Sequence, residues 1–264
     1  MKAVRYHGFG SAEVLRHEDI ERPVPGAGQV LVRAAATSFN PVDDHIRAGA
    51  LTEMIPVALP HVPGIDLAGT VAELGAEVSG LEVGDRVVAM LPLDAPGAAA
   101  EYVLAPAEAL VAAPRTIELV DAAALPLVGL SAWQTLFELA ELKPGQTVLV
   151  NGAGGAVGGL AVQLAVDAGA QVTAAAGPRH AERLKGYGAA RVVGHLDLVE
   201  GPAAVGGPFQ VLLNLVRVAP DEAARLSRYV ADGGGAASTA PRFPRSPPGP
   251  CAPRACSSAA TPPS

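Results

Sequence analysis

The chain has 264 residues, which is enough for one large or two ordinary domains. Half of the residues are hydrophobic and 17% are charged, so a folded globular protein is expected over most of the length. The net charge of −7 argues against a nucleic-acid or anionic-membrane partner, and no stretch is apolar for long enough to cross a bilayer.

The N-terminus and the cysteines bear on the compartment. Residues 1–7 lack the apolar core of a signal peptide, so we expect a cytoplasmic protein with no membrane partner. The only cysteines, Cys251 and Cys256, lie near the end of the chain. Neither a disulfide framework nor a cysteine-rich zinc lobe is therefore expected in the body of the protein.

Residues 1–115 have the pattern of a β-rich domain. Short apolar runs bounded by glycine and proline predict strands over residues 1–6, 29–34, 67–72, 84–89 and 99–104. Several short strands at such turn-marked spacing are typical of a small, partly closed barrel.

From Asp121 the pattern changes. Residues 122–137 have helical composition, with a break or kink at Pro126. Beyond them, predicted strands at 148–151, 171–176, 191–193 and 209–216 alternate with helical segments at 160–165, 178–187 and 220–230. Glycines 233–235 are expected to stop the last helix. This alternation predicts an α/β domain with a parallel sheet and right-handed crossovers.

A glycine cluster separates the first of these strands from its helix. Gly152, Gly155 and Gly158 recur every third residue, whereas a strict Gly-x-Gly-x-x-Gly motif ending at Gly158 fails because Ala153 occupies its first position. Glycines let backbone N–H groups approach a pyrophosphate at a helix N-terminus. The strand–turn–helix setting favours a dinucleotide site, and the alternative is a turn that only packs the helix on the sheet.

Five stretches, of which the last contains this turn, carry a family resemblance. They are residues 39–43 (FNPVD), 62–69 (VPGIDLAG), 84–87 (GDRV), 125–133 (LPLVGLSAW) and 152–165. In this order they resemble the medium-chain dehydrogenase/reductase superfamily, in its zinc-free quinone oxidoreductase (zeta-crystallin-like) branch. The resemblance implies a GroES-like β-barrel domain over residues 1–115 and a Rossmann-type parallel-sheet domain over residues 116–240. It also implies NADPH-dependent reduction of quinones, or of other activated carbonyl and alkene compounds, as the small-molecule electron acceptors.

Zinc-dependent alcohol dehydrogenases share this fold, so a metal has to be considered separately. Where they carry Gly-His-Glu this chain has Gly64, Ile65 and Asp66, and the region of Asn40 stands in place of their first cysteine. The side chain of Ile65 cannot coordinate a metal ion. His61 could, but an isolated histidine is more often a surface or hydrogen-bonded residue. We therefore expect no metal.

The turn after the second Rossmann strand bears on the choice of cofactor. Residues 174–180 contain no acid to accept the ribose 2′-hydroxyl of NAD, but they include Arg179. A basic residue in this turn binds the 2′-phosphate in the family, which implies NADP(H) and a phosphate contact for Arg179; the alternative is a solvated arginine at a helix start. The full set of cofactor contacts implied by the resemblance is Ser131, Gly152, Ala153, Gly155, Ala156, Val157, Gly158, Gly177, Arg179 and Asn214.

The resemblance places the acceptor pocket beside an Asn-x-x-Asp stretch. Asn40 and Asp43 match it, and His45 stands where a tyrosine is frequent. His45 could donate a proton to a developing oxyanion, so these three residues are the candidate catalytic residues. The alternative is that Asn40 and Asp43 hold a loop through side-chain-to-backbone hydrogen bonds.

The family resemblance ends near Ala236. Eight of residues 241–264 are proline and Phe243 is the only large apolar residue there, so we expect a disordered tail and an incomplete Rossmann domain. A frameshift and an authentic tail are both compatible with this composition. The family is usually homodimeric through a later strand, which we expect to be missing. A second hypothesis is therefore an impaired remnant that only binds nucleotide or retains the fold.

Overall fold

The computed structural model describes residues 1–238. The expectations for the tail, residues 241–264, lie outside the described residues. The chain begins with a two-stranded antiparallel ribbon, in which β1 (Lys2–Arg5) pairs with β2 (Arg16–Asp19). Strand β2 is not apparent from the sequence, because Arg16 to Asp19 are all polar and no side chain in it is buried.

An antiparallel sheet forms the body of the N-terminal domain. Its members are β3 (Gln29–Ala36), β4 (Asp66–Leu74), β5 (Arg86–Met90), β6 (Tyr102–Pro106) and the two-residue β7 (Val111–Ala112). The order across the sheet is β6-β3-β4-β5-β7, so β6 and β7 are its edges. A backbone bridge between Ala3 and Ala100 ties the β1–β2 ribbon to the segment preceding β6. Valines and leucines of β3 to β6 fill the core of this domain.

Three helices precede the second sheet. Helix α1 (Pro41–Arg47) follows β3, helix α2 (Leu119–Ala122) opens the second half of the chain, and helix α3 is Pro126–Trp133. The break predicted at Pro126 is found, because this proline is the first residue of α3, where its missing N–H removes no helical hydrogen bond. A π-helical segment, Gln134–Leu139, continues from α3.

The second sheet is entirely parallel. In chain order it comprises β8 (Thr147–Asn151), α4 (Ala156–Asp167), β9 (Gln171–Ala175), α5 (Ala181–Gly186), β10 (Arg191–Val193), β11 (Phe209–Asn214), α6 (Pro220–Leu226) and β12 (Val230–Ser238). Short 3₁₀ turns at Pro178–His180, Pro202–Val205 and Ser227–Tyr229 lie between them. The strand order β10-β9-β8-β11-β12 is that of a Rossmann-type sheet. The α/β class, with a β-sheet domain followed by a parallel-sheet domain, is confirmed.

The end of the parallel sheet differs from the sequence-based prediction. Residues 233–235 do not stop a helix; they lie inside β12, which follows the short 3₁₀ turn. Strand β12 pairs Val230 with Phe209 but Gly235 with Val211, so extra residues of β12 bulge out between these pairs. The glycines permit the bulge: Gly233 has φ +75°, and a Cβ on Gly234 would lie 2.6 Å from the carbonyl oxygen of Gln210.

Two features of this architecture position the site. Strands β8 and β11 are neighbours, but the strands that follow them, β9 and β12, lie on opposite sides of this pair. This reversal of strand order creates a crevice at the carboxyl ends of β8 and β11, which is where ligands bind in open α/β sheets. Helix α3 packs against α4 and also contacts β4 and β5, so it joins the two domains. Among residues 1–238, no helix has the length and apolar character needed to cross a membrane.

Candidate dinucleotide site and acceptor region

The turn after β8 is built on backbone constraints that only glycine meets at two positions. Gly152 has φ +88°, and both Gly152 and Ala153 donate their N–H groups to the Ala175 carbonyl oxygen at 3.1 Å. At Gly158 the reason is space, because an added Cβ would lie 2.4 Å from the Gly152 carbonyl oxygen. The turn is therefore tightly closed, and the first turn of α4 packs directly on it.

Ala153 explains why the strict glycine motif is not needed here. Its side chain is fully buried in the core formed by β8, β9, α3 and α4, so a methyl group at this position fills the interior instead of blocking the outer face. Gly155 is the N-cap of α4, and a Cβ there would have only the Gly152 carbonyl oxygen within 4 Å, at 3.6 Å. The outer side of the turn is thus open space in front of a twelve-residue helix.

The first N–H groups of α4 face this space. Ala156 and Val157 belong to the first turn of the helix, whose N–H groups have no acceptor within the helix. The helix dipole adds partial positive charge at the same end. The turn and the start of α4 can therefore hold a doubly charged group such as a pyrophosphate.

A side-chain bridge crosses the crevice between β8 and β11. The Asn151 Nδ2 donates to Asn214 Oδ1 at 2.8 Å, and the Asn214 Nδ2 donates to the Val216 carbonyl oxygen at 2.8 Å. Both asparagines are buried. Asn214 was expected beside the cofactor, whereas Asn151 was not; a polar residue that ends a buried strand just before a glycine turn is the signal that could have found it.

Arg179, His180 and Arg183 form a basic cluster that packs against the glycine turn at Gly154. Arg179 Nε donates to His180 Nε2 at 3.0 Å, and an Nη2 atom of Arg183 lies 3.2 Å from His180 Nδ1. The same Arg183 Nη2 donates to the Gly154 carbonyl oxygen at 2.8 Å. The sequence indicated Arg179 but not Arg183, which is one helical turn further on, nor the stacking of His180 on the glycine turn. Gly177, the remaining predicted member of this region, precedes the 3₁₀ turn that carries Arg179.

The N-terminal domain contributes a buried hydrogen-bond network around Asp66. Ser38 Oγ and Asn40 Nδ2 both donate to Asp66 Oδ2, the latter at 2.9 Å. The backbone N–H of Leu127, at the start of α3, donates to Asp66 Oδ1 at 2.8 Å. Asp66 is fully buried, and it therefore links the loop after β3 to the helix that joins the domains.

Asp43 holds the same loop through backbone donors. Its Oδ2 accepts from the Asn40 N–H at 2.8 Å and its Oδ1 from the Gly64 N–H at 3.1 Å. Burial raises the pKa of Asp43, and these backbone hydrogen bonds, with one from Ile65, oppose that effect. Asp43 thus makes the side-chain-to-backbone hydrogen bonds of the loop-holding alternative, whereas the Asn40 side chain donates to the side chains of Ser38 and Asp66. Their assignment as catalytic residues stays a prediction.

The remaining candidates lie on neighbouring elements. His45 is half-buried on α1, with Nδ1 2.6 Å from the Pro41 carbonyl oxygen. Ser131 lies on α3, beside the buried Ala132 that packs with α4. His61 is buried against the Tyr6 ring at 5.4 Å between centroids, and burial lowers its pKa.

Residues 1–238 contain no group of three or more histidine, cysteine, aspartate or glutamate side chains arranged to hold a metal ion. Ile65 is buried, next to Asp66, whose oxygens already accept three hydrogen bonds. The expectation of a metal-free protein stays a prediction.

Comparison with known proteins gives consistent relatives. Residues 26–115 match the family model of the alcohol dehydrogenase GroES-like domain. A chloroplastic quinone-oxidoreductase homolog of Spinacia oleracea is 36% identical over 199 residues, which are 73% of this chain and 60% of that protein. The chain thus spans about 60% of the length of such curated relatives.

Solved structures agree. An alcohol dehydrogenase superfamily protein from Novosphingobium aromaticivorans superposes with a TM-score of 0.80 at 32% identity, covering 90% of this chain and 72% of that one. A cobalt- and zinc-bound alcohol dehydrogenase from Pyrobaculum aerophilum gives a TM-score of 0.78 at 30% identity, covering 90% and 76%.

Proposed function

Because the chain belongs to the medium-chain dehydrogenase/reductase superfamily, in its quinone oxidoreductase branch, we propose that it is an oxidoreductase that binds a nicotinamide dinucleotide and reduces quinones or related activated carbonyl and alkene compounds. The observation that carries this proposal is the turn over residues 152–158. It stands at the switch point of the parallel sheet, closed on its inner side and open in front of α4.

The residues of the turn fit such a cofactor. The N–H groups of Ala156 and Val157 would bind the pyrophosphate, and Gly155 would let it approach the backbone closely. The Asn151–Asn214 bridge fixes the floor of the crevice, and Ser131 on α3 would line its far side. The Ala153 side chain already fills the core behind the turn, which supports a turn that keeps its shape before the cofactor binds.

We propose that the cofactor is NADP(H). Strand β9 ends in Ala174 and Ala175, followed by Ala176 and Gly177, so no carboxylate stands where an acid would accept the ribose 2′-hydroxyl of NAD. Arg179 follows at once on an exposed 3₁₀ turn. A guanidinium forms forked, charge-assisted hydrogen bonds to a phosphate. The ribose of NAD carries no 2′-phosphate to accept them.

The acceptor would be reduced in the region between α1 and α3. When bound, a reduced nicotinamide supplies the hydride, so the chain's own residues have to orient the acceptor and deliver a proton. Asn40 and Asp43 would act by fixing the loop that carries α1. His45, whose Nδ1 lies 2.6 Å from the Pro41 carbonyl oxygen, would be the residue that delivers a proton to the acceptor. None of these roles needs a metal ion, and Ile65 stands where a metal-binding relative carries a ligand.

Oxidation of NADPH, followed at 340 nm with a panel of quinones and enones, tests the activity. We expect acceptor-dependent turnover with NADPH. Tight binding of NADPH without turnover on any acceptor would refute the reductase and leave the nucleotide-binding hypothesis. Failure of both NADPH and NADH to bind would refute the dinucleotide site itself.

A second measurement tests the cofactor preference. Replacing Arg179 by alanine should weaken NADPH binding by about ten-fold or more, since a charge-assisted hydrogen bond to phosphate is lost, and should leave NADH binding within about two-fold. Lys185→Ala is the matched control, because Lys185 is an exposed cation on α5 that pairs with Glu182 at 2.8 Å. Equal losses for both cofactors in the Arg179 variant would contradict the phosphate contact.

A further inference from the structure

The side chains of Arg179, His180 and Arg183 form a cationic cluster that is completed by the glycine turn. The His180 ring lies against the backbone of Gly154: a Cβ on that glycine would lie 2.6 Å from His180 Cδ2. Arg183 reaches from α5 to the Gly154 carbonyl oxygen. The cluster is therefore fixed to the same turn that faces the proposed pyrophosphate position.

The hydrogen bonding inside this cluster is incomplete. Arg179 Nε–H donates to His180 Nε2, so a neutral imidazole must carry its proton on Nδ1. That Nδ1–H faces Nη2 of Arg183 at 3.2 Å, which places two donors against each other. An acceptor-only group with negative charge, such as a phosphate, would satisfy all three side chains at once.

The charges around His180 favour its neutral form until an anion arrives. Partial burial and the flanking guanidinium groups of Arg179 and Arg183 lower the pKa of His180 below its usual value. The turn at Gly154, which packs on the His180 ring, has no side chain there and so adds no charged group. Glu182, the acid next along α5, is engaged with Lys185.

The family resemblance already assigns the 2′-phosphate contact to Arg179; we propose that His180 and Arg183 complete this site, and that His180 takes up a proton from solvent when the phosphate binds. This inference rests on the proposed binding of NADP(H). A phosphate oxygen accepts the Arg179 hydrogen bond in place of His180 Nε2, and Nε2 is then protonated and donates to the phosphate. His180 thereby becomes a residue that determines both cofactor specificity and its dependence on pH.

The sign of the pH dependence follows from this order. Partial burial and the flanking guanidinium groups hold the pKa of His180 below its usual value in the free protein, and a bound phosphate would raise that pKa. Affinity for NADPH should fall as pH rises through the raised value, whereas affinity for NADH should not follow it. Measurements above about pH 7.5 keep the phosphate almost entirely in its doubly ionised form, because its second pKa is about 6.

Isothermal titration calorimetry in buffers of different ionisation enthalpy measures the proton uptake directly, without any turnover. At pH 7.5 the wild-type chain should take up a measurable fraction of one proton with NADPH and none with NADH. His180→Gln should abolish the uptake and flatten the pH profile of NADPH affinity. Lys185→Gln, which removes a cation from the same helix outside the cluster, should behave as wild type.

A second variant keeps the inference testable if His180→Gln folds poorly. Arg183→Gln leaves the imidazole in place and should weaken NADPH about ten-fold with little change for NADH. If NADPH is preferred but both variants bind it as wild type does, with unchanged proton uptake, the three-residue subsite is wrong and the proposed function stands. If NADPH binds no better than NADH to the wild-type chain, the cofactor proposal fails and the inference fails with it.

Discussion

Buried polar side chains in the N-terminal domain differ in whether their hydrogen-bonding groups are satisfied. Asn40, Asp43 and Asp66 are each hydrogen-bonded to backbone or side-chain partners within one network. The Tyr6 hydroxyl is different: its residue is fully buried, and among residues 1–238 it is the buried side-chain polar atom that lacks a hydrogen-bond partner. A buried, unsatisfied hydroxyl costs stability relative to a phenyl group of the same shape.

Replacing Tyr6 by phenylalanine should therefore leave the free energy of unfolding at pH 7 unchanged or raise it, by up to about 1 kcal/mol. Burial raises the pKa of Tyr6 to about 12, so the folded chain holds this proton more tightly than the unfolded chain between pH 10 and about 12. Stability should fall with rising pH across that window, and the variant should lose this part of the slope. Urea denaturation at pH 7, 10 and 11 measures both effects. A loss of about 2 kcal/mol at pH 7 would show that the hydroxyl has a partner.

At the scale of elements, Asp66 connects structures that lie far apart in the chain. Its carboxylate accepts hydrogen bonds from Ser38 and Asn40 on one side and from the first turn of α3 on the other. Negative charge at a helix N-terminus is favourable, and here it is shielded from water. The position of α3, and with it Ser131, consequently depends on the loop that carries Asn40.

Asp66→Asn should destabilise the chain by about 2–4 kcal/mol, because an amide offers one acceptor atom where the network needs two, and places an N–H₂ group against a donor. Chemical denaturation gives this value directly. Asp232→Asn, which changes an exposed carboxylate in β12, is the control and should stay within about 0.5 kcal/mol of wild type. If the two variants are equally stable, the contact between Asp66 and α3 does not hold the domains together.

The same elements show how far the sequence could predict the structure. Periodicity and turn residues placed the alternating strands and helices of the parallel sheet, because each buries a regular apolar pattern. They failed over the first part of β12, since a stretch that contains Gly233 to Gly235 has no apolar pattern and is defined only by its pairing with β11. The burial of the Ala153 methyl group and the packing of the His180 ring on Gly154 were unpredictable for a related reason, because both depend on neighbours brought together by the fold.

For the whole molecule, the fold alone does not determine the chemistry. A cobalt- and zinc-bound alcohol dehydrogenase shares this fold over 90% of this chain, so the fold by itself does not tell whether this chain binds a metal. In this chain the side chain of Ile65 cannot ligate a metal ion, and Asp66 already accepts three hydrogen bonds. His61 lies against Tyr6, and burial favours its neutral form, which alone does not make a site.

We therefore expect the purified chain to contain less than about 0.1 zinc per chain, since a tetrahedral site needs about three protein ligands. Elemental analysis measures the content, and a chelator should leave the melting temperature unchanged because no structural metal contributes to folding. Cys251 and Cys256 lie outside the described residues, so a variant with both replaced by alanine should be measured in parallel. One tightly bound zinc that persists in this variant would contradict the expectation and implicate His61 or Asp66. Zinc that disappears with the cysteines would also contradict it, and would locate the ligands there.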